Sequence, residues 1–143
     1  MKLKIIIDQT CEEEIVIYCK EKNRITDAIE NLLAEECLTF LGQTEDGYKK
    51  LELNEIYFFR VEDNKIYAAL EKEKYRIKTR LYKLEDCLPK NYVKINQSTI
   101  INIQKIDSFS SDFTGTLTVT LKNGFSDYVS RRNLKNVKER LGV

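Results

Sequence analysis

The pattern of apolar and polar positions predicts mainly β-structure with about three short helices. Apolar runs over residues 2–7 and 14–19 are typical of strands, and the period then changes to that of a helix over residues 25–33. Asn23 or Thr26 is placed to cap this helix. Its apolar stripe consists of Ile25, Ala28, Ile29, Leu32 and Leu33.

The middle of the chain consists of short apolar segments separated by turn residues. Glu45-Asp46-Gly47 and Glu62-Asp63-Asn64 supply the turn chemistry. A short helix is predicted next, with Thr79 as its cap and Pro89 as its end. The predicted strands cover residues 38–42, 48–53, 55–61, 65–70 and 71–78.

The last third of the chain begins with an apolar segment that the polar tripeptide Asn96-Gln97-Ser98 interrupts. Asn123-Gly124 predicts a type I′ hairpin turn, in which both central residues have positive φ. Ser130 is the predicted cap of a last helix. The predicted β-segments cover residues 93–103, 105–109, 116–121 and 125–129.

Length and composition indicate one globular domain. The chain has 143 residues, of which 42% are hydrophobic and 33% charged, as in a globular rather than a disordered protein. No apolar run approaches the roughly 18 residues of a membrane span, and the apolar stretch at the N-terminus ends at Asp8. We therefore expect a cytoplasmic protein.

The cysteines and the absence of histidine limit the chemistry that we expect. Cys11, Cys19, Cys37 and Cys87 form no CxxC pair, and we interpret all four as reduced thiols in apolar surroundings. Without histidine, the chain lacks the commonest general base and the usual transition-metal ligand. Walker and dinucleotide-binding glycine loops are absent as well. We expect no enzyme activity, no metal site and no cofactor.

Charge is unevenly distributed along a chain whose formal net charge is +1. Residues 1–74 contain 11 basic and 17 acidic side chains, whereas residues 75–143 contain 13 basic and 6 acidic ones. The excess of cations in the C-terminal half indicates a polyanionic partner for that half.

Two arginines at the start of the last predicted helix are the first candidate binding residues. If Ser130 caps this helix, free backbone N–H groups lie beside Arg131 and Arg132. Cations are unfavourable at this positive helix end unless a phosphate lies nearby, and arginine also pairs with guanine through two hydrogen bonds. Two solvated surface arginines are the alternative interpretation.

The polar residues after Lys94 form the second candidate site. Asn96 and Gln97 have side chains that pair with adenine, and Ser98 has one that binds phosphate. An ordinary polar turn is the alternative interpretation.

An alternating row of cations is predicted to lie on one face of a strand, with Tyr75 and Ile77 on the other face. Such a row is able to follow a phosphate backbone, but a solvated face that prevents aggregation is the favoured interpretation. The acidic turn over residues 62–65 by itself indicates only a turn. The row consists of Lys72, Lys74, Arg76, Lys78 and Arg80.

Taken together, these segments resemble the LytTR family of bacterial DNA-binding domains, which are often the output domains of response regulators. The resemblance covers residues 40–141. It implies an α+β, mainly β fold, an elongated stack of three antiparallel β-sheets with short helices. It also implies loops that enter successive major grooves at paired direct repeats of duplex DNA. The matching segments are residues 56–59, 81–85, 92–102, 106, 121–124 and 129–132.

The resemblance also implies which residues contact DNA. It assigns base reading to Arg132, and phosphate contacts to Lys94 and Arg131. Asn96 and Gln97 are neutral amides where many members have histidine and a basic residue, so base preference at this loop is not inherited. The implied contact loops are Asn64-Lys65, Asn96-Gln97-Ser98 and Arg131-Arg132-Asn133.

Residues 1–38 resemble the β-β-α extension of stand-alone members, and residues 39–143 form the DNA-binding domain. The extension is expected to close the core of the domain, with a dimer surface as the less favoured alternative. The partners implied by the resemblance are double-stranded DNA, a second copy of the chain at least on DNA, and a membrane-protein inhibitor.

Two other functions remain open from the residues alone. One is a β-sheet module that binds proteins and has no role with nucleic acids. The other is a protein that binds single strands or RNA and stacks bases on exposed aromatic side chains. The candidate aromatic side chains for the second function are Tyr48, Tyr57, Tyr67 and Tyr75.

Overall fold

The computed structural model describes residues 2–12, 14–37 and 39–143. Two short 3-10 turns, Leu53–Glu55 and Ile103–Lys105, interrupt the strands. The three helices are α1 (Arg24–Cys37), α2 (Leu81–Cys87) and α3 (Arg131–Leu141). The strands are β1 (Phe40–Gln43), β2 (Tyr48–Leu51), β3 (Phe58–Glu62), β4 (Lys65–Ala69), β5 (Lys74–Ile77), β6 (Tyr92–Asn96), β7 (Thr99–Asn102), β8 (Ile106–Ser111), β9 (Leu117–Leu121) and β10 (Ser126–Val129).

The described strands form two antiparallel sheets. The larger has seven strands in the order β2-β1-β5-β4-β3-β7-β6, and the smaller has the order β10-β9-β8. β1 pairs with β5 only at Gln43 and Arg76, so the β1–β2 hairpin is joined to the larger sheet by a single residue pair. The resemblance implied three sheets, whereas the described strands form two, because this pair joins the β1–β2 hairpin to the larger sheet. The mainly β architecture with short helices is therefore confirmed.

Two hydrophobic cores lie on opposite faces of the larger sheet, because successive strand residues point to opposite faces. In β3, Phe59 packs into one core and Phe58 into the other. The first core also contains Leu84 of α2, and the second contains Val137 of α3. The smaller sheet contributes Leu117, Val119, Leu121 and Val129 to the second core.

Helix α1 begins as its sequence predicts. The side-chain oxygen of Asn23 accepts hydrogen bonds from the backbone N–H groups of Ile25 and Thr26, at 3.0 and 3.1 Å. The Thr26 hydroxyl in turn accepts the N–H of Asn23 at 3.0 Å. Both candidate caps therefore act together, which satisfies N–H groups that the first turn of a helix leaves unpaired.

The two strands predicted before α1 are absent from the described residues. No strand is assigned over residues 2–12 and 14–23, and Glu13 lies outside the described part. Leu3, Ile5, Ile6 and Ile7 are each more than 70% exposed. The physical reason is that two short strands alone are marginal without a third strand or a packing partner.

Two smaller predictions about local structure are wrong. Residue Arg80, not Thr79, occupies the N-cap position of α2. In the β9–β10 hairpin only Gly124 has positive φ, so Asn123-Gly124 is not a type I′ turn. A three-residue loop forms there instead, in which Leu121 N–H donates to the Phe125 carbonyl at 2.8 Å.

The cysteine prediction is only partly correct. Cys11, Cys19 and Cys87 are free thiols, but they are exposed rather than surrounded by apolar side chains. Desolvation raises the pKa of the Cys87 thiol, so this thiol is protonated at neutral pH. The side chain of Cys37 lies outside the described part. Of the described helices, none is long and apolar enough to cross a membrane.

Candidate nucleic-acid interface

One end of the larger sheet brings together segments that are far apart in the chain. The β3–β4 turn lies there, because Glu62 pairs with Lys65 across it. The end of β5 lies beside it, because Ile77 pairs with Ile66 of β4. The β6–β7 turn joins the same end, because the Val61 N–H donates to the Ser98 carbonyl at 2.8 Å.

The start of α3 is attached to this end as well. The Ser130 N–H donates to the Ile95 carbonyl at 2.8 Å, which ties the beginning of the helix to the end of β6. We call the resulting surface the loop edge and define it as residues 62–65, 77–80, 96–98 and 130–133. All three contact loops predicted from the sequence therefore lie on one surface.

The β3–β4 turn projects its side chains into solvent. Asp63 and Asn64 have φ values of 50° and 61°, so the type I′ turn occurs here rather than at the β9–β10 hairpin. Aspartate and asparagine tolerate this left-handed conformation better than most residues. Asp63, Asn64 and Lys65 are all exposed, and Asn64 and Lys65 are thus accessible to a partner.

The two neighbouring amides of the β6–β7 turn have opposite environments. Gln97 is exposed, whereas Asn96 is only 3% exposed. The side-chain nitrogen of Asn96 donates to Asp127 Oδ2 at 3.0 Å and to the Tyr128 carbonyl at 2.9 Å, and its oxygen accepts the Ser98 N–H at 2.9 Å. The Asn96 amide is therefore fully occupied within the protein.

A β-bulge explains why Asn96 points inward. The pairing of β6 with β7 shifts register between Lys94 and Asn96, so Ile95 and Asn96 are both buried although they are adjacent. Strict alternation would have placed Asn96 on the same face as the half-buried Lys94.

Asp127 is a residue of this surface that sequence reasoning missed. Its Oδ2 accepts hydrogen bonds from Asn96 and from the Thr99 hydroxyl, the latter at 2.8 Å. Asp127 lies on the inward-facing side of β10, two residues before the buried Val129. An acidic residue at an apolar position of an alternating strand was the available signal. Asp127 thus connects the β6–β7 turn to the strand that leads into α3.

The two arginines of α3 are exposed and extend from its first turn. Neither Arg131 nor Arg132 forms an ion pair with any residue in the described ranges. Ser130 occupies the N-cap position, but its hydroxyl caps no backbone N–H. It accepts instead from the Asn133 side-chain nitrogen at 2.7 Å, so Asn133 is half-buried and held in place.

Lys94 lies beside these residues but has a partner already. Its ammonium lies 3.4 Å from Glu85 Oε2 of α2, and the side chain is 28% exposed. A phosphate at this position would therefore compete with the Glu85 carboxylate for the Lys94 ammonium, or share this ammonium with it.

Comparisons with known proteins identify the family of this chain. The family profile of the LytTr DNA-binding domain matches residues 46–142. The chain belongs to the LytTR DNA-binding domain family. A solved LytTr DNA-binding domain, from a methyl-accepting/DNA response regulator of Bacillus cereus, has a TM-score of 0.69 and 24% identity, covering 73% of this chain and 97% of that one.

Full-length relatives in Staphylococcus aureus are named as uncharacterized HTH-type transcriptional regulators. The proteins of strains MSSA476 and N315 are each 29% identical over 146 residues, covering 100% of this chain and 99% of the relative. In this LytTR protein, strands separate each of the three described helices from the next, so no two consecutive helices form a helix-turn-helix.

The tyrosines proposed as stacking platforms are poorly placed for that role in this LytTR domain. Tyr57, Tyr67 and Tyr75 are half-buried, and lysine ammonium groups lie 5.1 to 5.5 Å from their ring centroids. Tyr48 is 59% exposed and lies on β2, the outermost strand of the larger sheet on that side. In the described part of the chain, no three metal-ligating side chains are grouped together.

Proposed function

We propose that the protein is a bacterial, cytoplasmic transcription regulator that binds duplex DNA sequence-specifically and has no enzyme activity. The observation that carries the proposal is the loop edge, where the two unpaired arginines of α3 lie beside the β6–β7 and β3–β4 turns. Family membership supports the same function. In this proposal the loops enter successive major grooves at paired direct repeats.

The electrostatics of the α3 start favour an anionic partner. Arg131 and Arg132 extend from the positive end of a helix of 11 residues, where cations are unfavourable on their own. A DNA phosphate at this end would be attracted by both the helix and the guanidinium groups. Arginine also supplies two parallel hydrogen bonds to the major-groove edge of guanine.

The residues of the loop edge have different roles in this proposal. Some contact bases, and we call these the readers; others hold the readers in place, and we call these the supports. We propose that Arg132 reads a base, with Gln97, Ser98, Asn64 and Lys65 as the other exposed or half-buried contacts. Asn133 orients the arginines through its bond to Ser130. Arg131 and Lys94 hold phosphates. Asn96 acts behind the surface, because its hydrogen-bonding groups are engaged within the protein.

We also propose that the N-terminal extension, residues 1–38, forms a homodimer. Seven large side chains between residues 3 and 18 are 58% to 94% exposed, which is an unusual concentration for a monomer. At roughly 60–120 Å² of apolar surface per aliphatic side chain, the patch supplies about half of the ~800 Å² per partner of a standard interface. The side chains are Leu3, Ile5, Ile6, Ile7, Ile15, Val16 and Tyr18.

A second copy is the occupant that best fits this patch. No strand among the described residues forms backbone hydrogen bonds with residues 2–7. The same segment of a second copy is able to pair with it and supply these hydrogen bonds. A dimer also places two loop edges on one duplex, which suits paired repeats. A membrane-protein inhibitor is the other partner that family resemblance implies for this protein.

The dimer is tested by sedimentation of the full chain. We expect a dimer for the wild type and a monomer for Ile7→Lys, while Phe113→Lys, at an equally exposed apolar residue outside the patch, stays dimeric. A wild-type monomer at all concentrations, or an equal effect of both variants, would contradict the assignment.

DNA binding is tested by anisotropy titration of the protein against the duplex upstream of its own operon. Scrambled duplex and single strands of the same sequence serve as competitors. We expect binding that survives scrambled competitor and weakens steeply with salt. Absence of binding to either duplex at low salt would remove this function and favour a protein-interaction module. Preferential displacement by single strands would favour the single-strand or RNA-binding alternative.

A further inference from the structure

A basic groove lies at the end of the loop edge that is farthest from α3. It has a volume of about 320 Å³ and is formed where β5 leads into α2, next to the β3–β4 turn. Asn64, Ile66, Ile77 and Thr79 form its uncharged walls. Its basic side chains are Lys65, Arg76, Lys78, Arg80 and Lys83.

The charge of this groove is uncompensated. Five of its nine lining residues are cations and none is an acid. None of the five forms an ion pair within the described ranges, whereas Lys74 and Lys94 nearby are paired with Glu62 and Glu85. Five cations that repel one another around one concave surface favour an anionic occupant.

The structure divides the cationic row that the sequence predicted. Lys74 points to Glu62 at 2.8 Å and lies over the Tyr67 ring, so its charge is neutralised within the protein. Arg76, Lys78 and Arg80 instead line the groove, where Lys83 of α2 and Lys65 of β4 join them. The row is therefore not uniform, since Lys74 is paired within the protein whereas the last three cations line the groove.

The position of the groove makes it part of the same binding surface. β5 and β6 are separated by β4, β3 and β7, so the groove and the α3 start lie at opposite ends of the loop edge. Four strand spacings of about 4.8 Å place them ~19 Å apart. Since successive phosphates on one strand are spaced along the helix axis by about 3.4 Å, one duplex is able to contact both ends.

We propose that this groove binds the phosphate backbone of the same duplex that the loops read, through Lys78, Arg80 and Lys83 in particular. The inference rests on the proposed DNA binding and adds a contact surface to it. Phosphate contacts carry no sequence information, so the groove contributes equally to specific and scrambled duplex. It anchors the duplex beyond the base contacts of α3.

The slope of binding against salt concentration tests the groove. Each phosphate contact contributes about 0.9 to the slope of log K against log salt. Lys78→Ala/Lys83→Ala is therefore expected to lower the slope by about 2, for promoter and scrambled duplex alike. The same double change to glutamine preserves the length of the side chains and is expected to give the same slope. Anisotropy titrations at salt concentrations from about 50 to about 200 mM measure the slope.

The matched control is Lys122→Ala/Lys138→Ala, which removes the same charge. Both lysines are exposed; Lys122 lies in the β9–β10 hairpin and Lys138 in the last turn of α3, away from the groove. An unchanged slope for the control together with a lower slope for the groove variant supports the proposal. Equal slopes for both variants, or a groove variant like the wild type, would overturn it while DNA binding itself stands. A wild type that binds no duplex would overturn the proposed function first.

Discussion

The two ends of the loop edge are built by different physical means. At the α3 end, the β6–β7 turn is fixed by buried polar groups, since Asn96 and Thr99 are 3% and 0% exposed and both donate to Asp127. At the groove end, cations line an open surface with few constraints on their side chains. Reading a base requires donors held in one geometry, whereas attracting a phosphate requires only charge in reach. In the proposed function, the buried polar groups at the α3 end therefore hold the base-contacting residues in place.

Removal of the Asp127 carboxylate, at the α3 end of the loop edge, is expected to have the largest effect on stability and on promoter binding. Asp127→Ala leaves the Thr99 hydroxyl and one donor of the Asn96 amide without their acceptor, so we expect a loss of about 1–3 kcal/mol in the free energy of unfolding. Urea unfolding measures the loss. Promoter binding should weaken more than scrambled-duplex binding, because the β6–β7 turn loses one of its hydrogen-bonded connections to the strand that leads into α3.

Asp127→Asn sharpens the same test because it retains an acceptor oxygen of similar geometry. Partial recovery of both stability and the promoter-to-scrambled affinity ratio is the expected result. If Asp127→Ala lowers stability but leaves this ratio unchanged, Asp127 supports the fold alone and does not position the readers.

Arg132→Ala is expected to have the next largest effect. Loss of a two-bond arginine–guanine contact costs about 1–3 kcal/mol of binding free energy and relaxes preference at one base pair. Titration against duplexes with single base-pair changes measures it. Urea unfolding should be unaffected, since the side chain is exposed. An equal loss of affinity for promoter and scrambled duplex would make Arg132 a phosphate contact instead.

Lys94→Ala is expected to act like the groove variants but more weakly. It should lower the salt slope by about 1 for every duplex and leave base preference intact. The pairing of Lys94 with Glu85 reduces the expected loss, because in the wild type a phosphate has to compete with the Glu85 carboxylate for the Lys94 ammonium. Identical behaviour of Lys94→Ala and Arg132→Ala would show that the division between readers and phosphate contacts is wrong.

The smallest expected effect comes from the acid in the middle of the loop edge. Asp63→Asn removes a negative charge that repels DNA, and asparagine tolerates the φ of 50° at this position. Affinity should rise less than about threefold for both duplexes, as expected for a change in one exposed charge. A fall in affinity would mean that Asp63 contacts a base directly.

Much of the domain could be predicted from sequence periodicity. The helices at Arg24–Cys37 and Arg131–Leu141, and most strands to within a few residues, follow from local pattern. Two of the three contact loops could be proposed because polar residues interrupt apolar segments at Asn96-Gln97-Ser98 and follow a strand at Ser130, whereas Asn64-Lys65 was implied only by the family resemblance. The strands before α1 could not be predicted correctly, because a segment forms a strand only where its backbone finds a partner.

The sequence by itself determined the periods, the turn residues and the types of side chain offered to a partner. Only the tertiary structure decided that Asn96 is a buried support while its neighbour Gln97 is exposed, because the bulge in β6 reverses the expected direction of Asn96. Pairing of β5 with β4 likewise brought Lys78 next to Lys65 to form the groove. Contacts between distant segments depend on register and packing, which local sequence patterns do not encode.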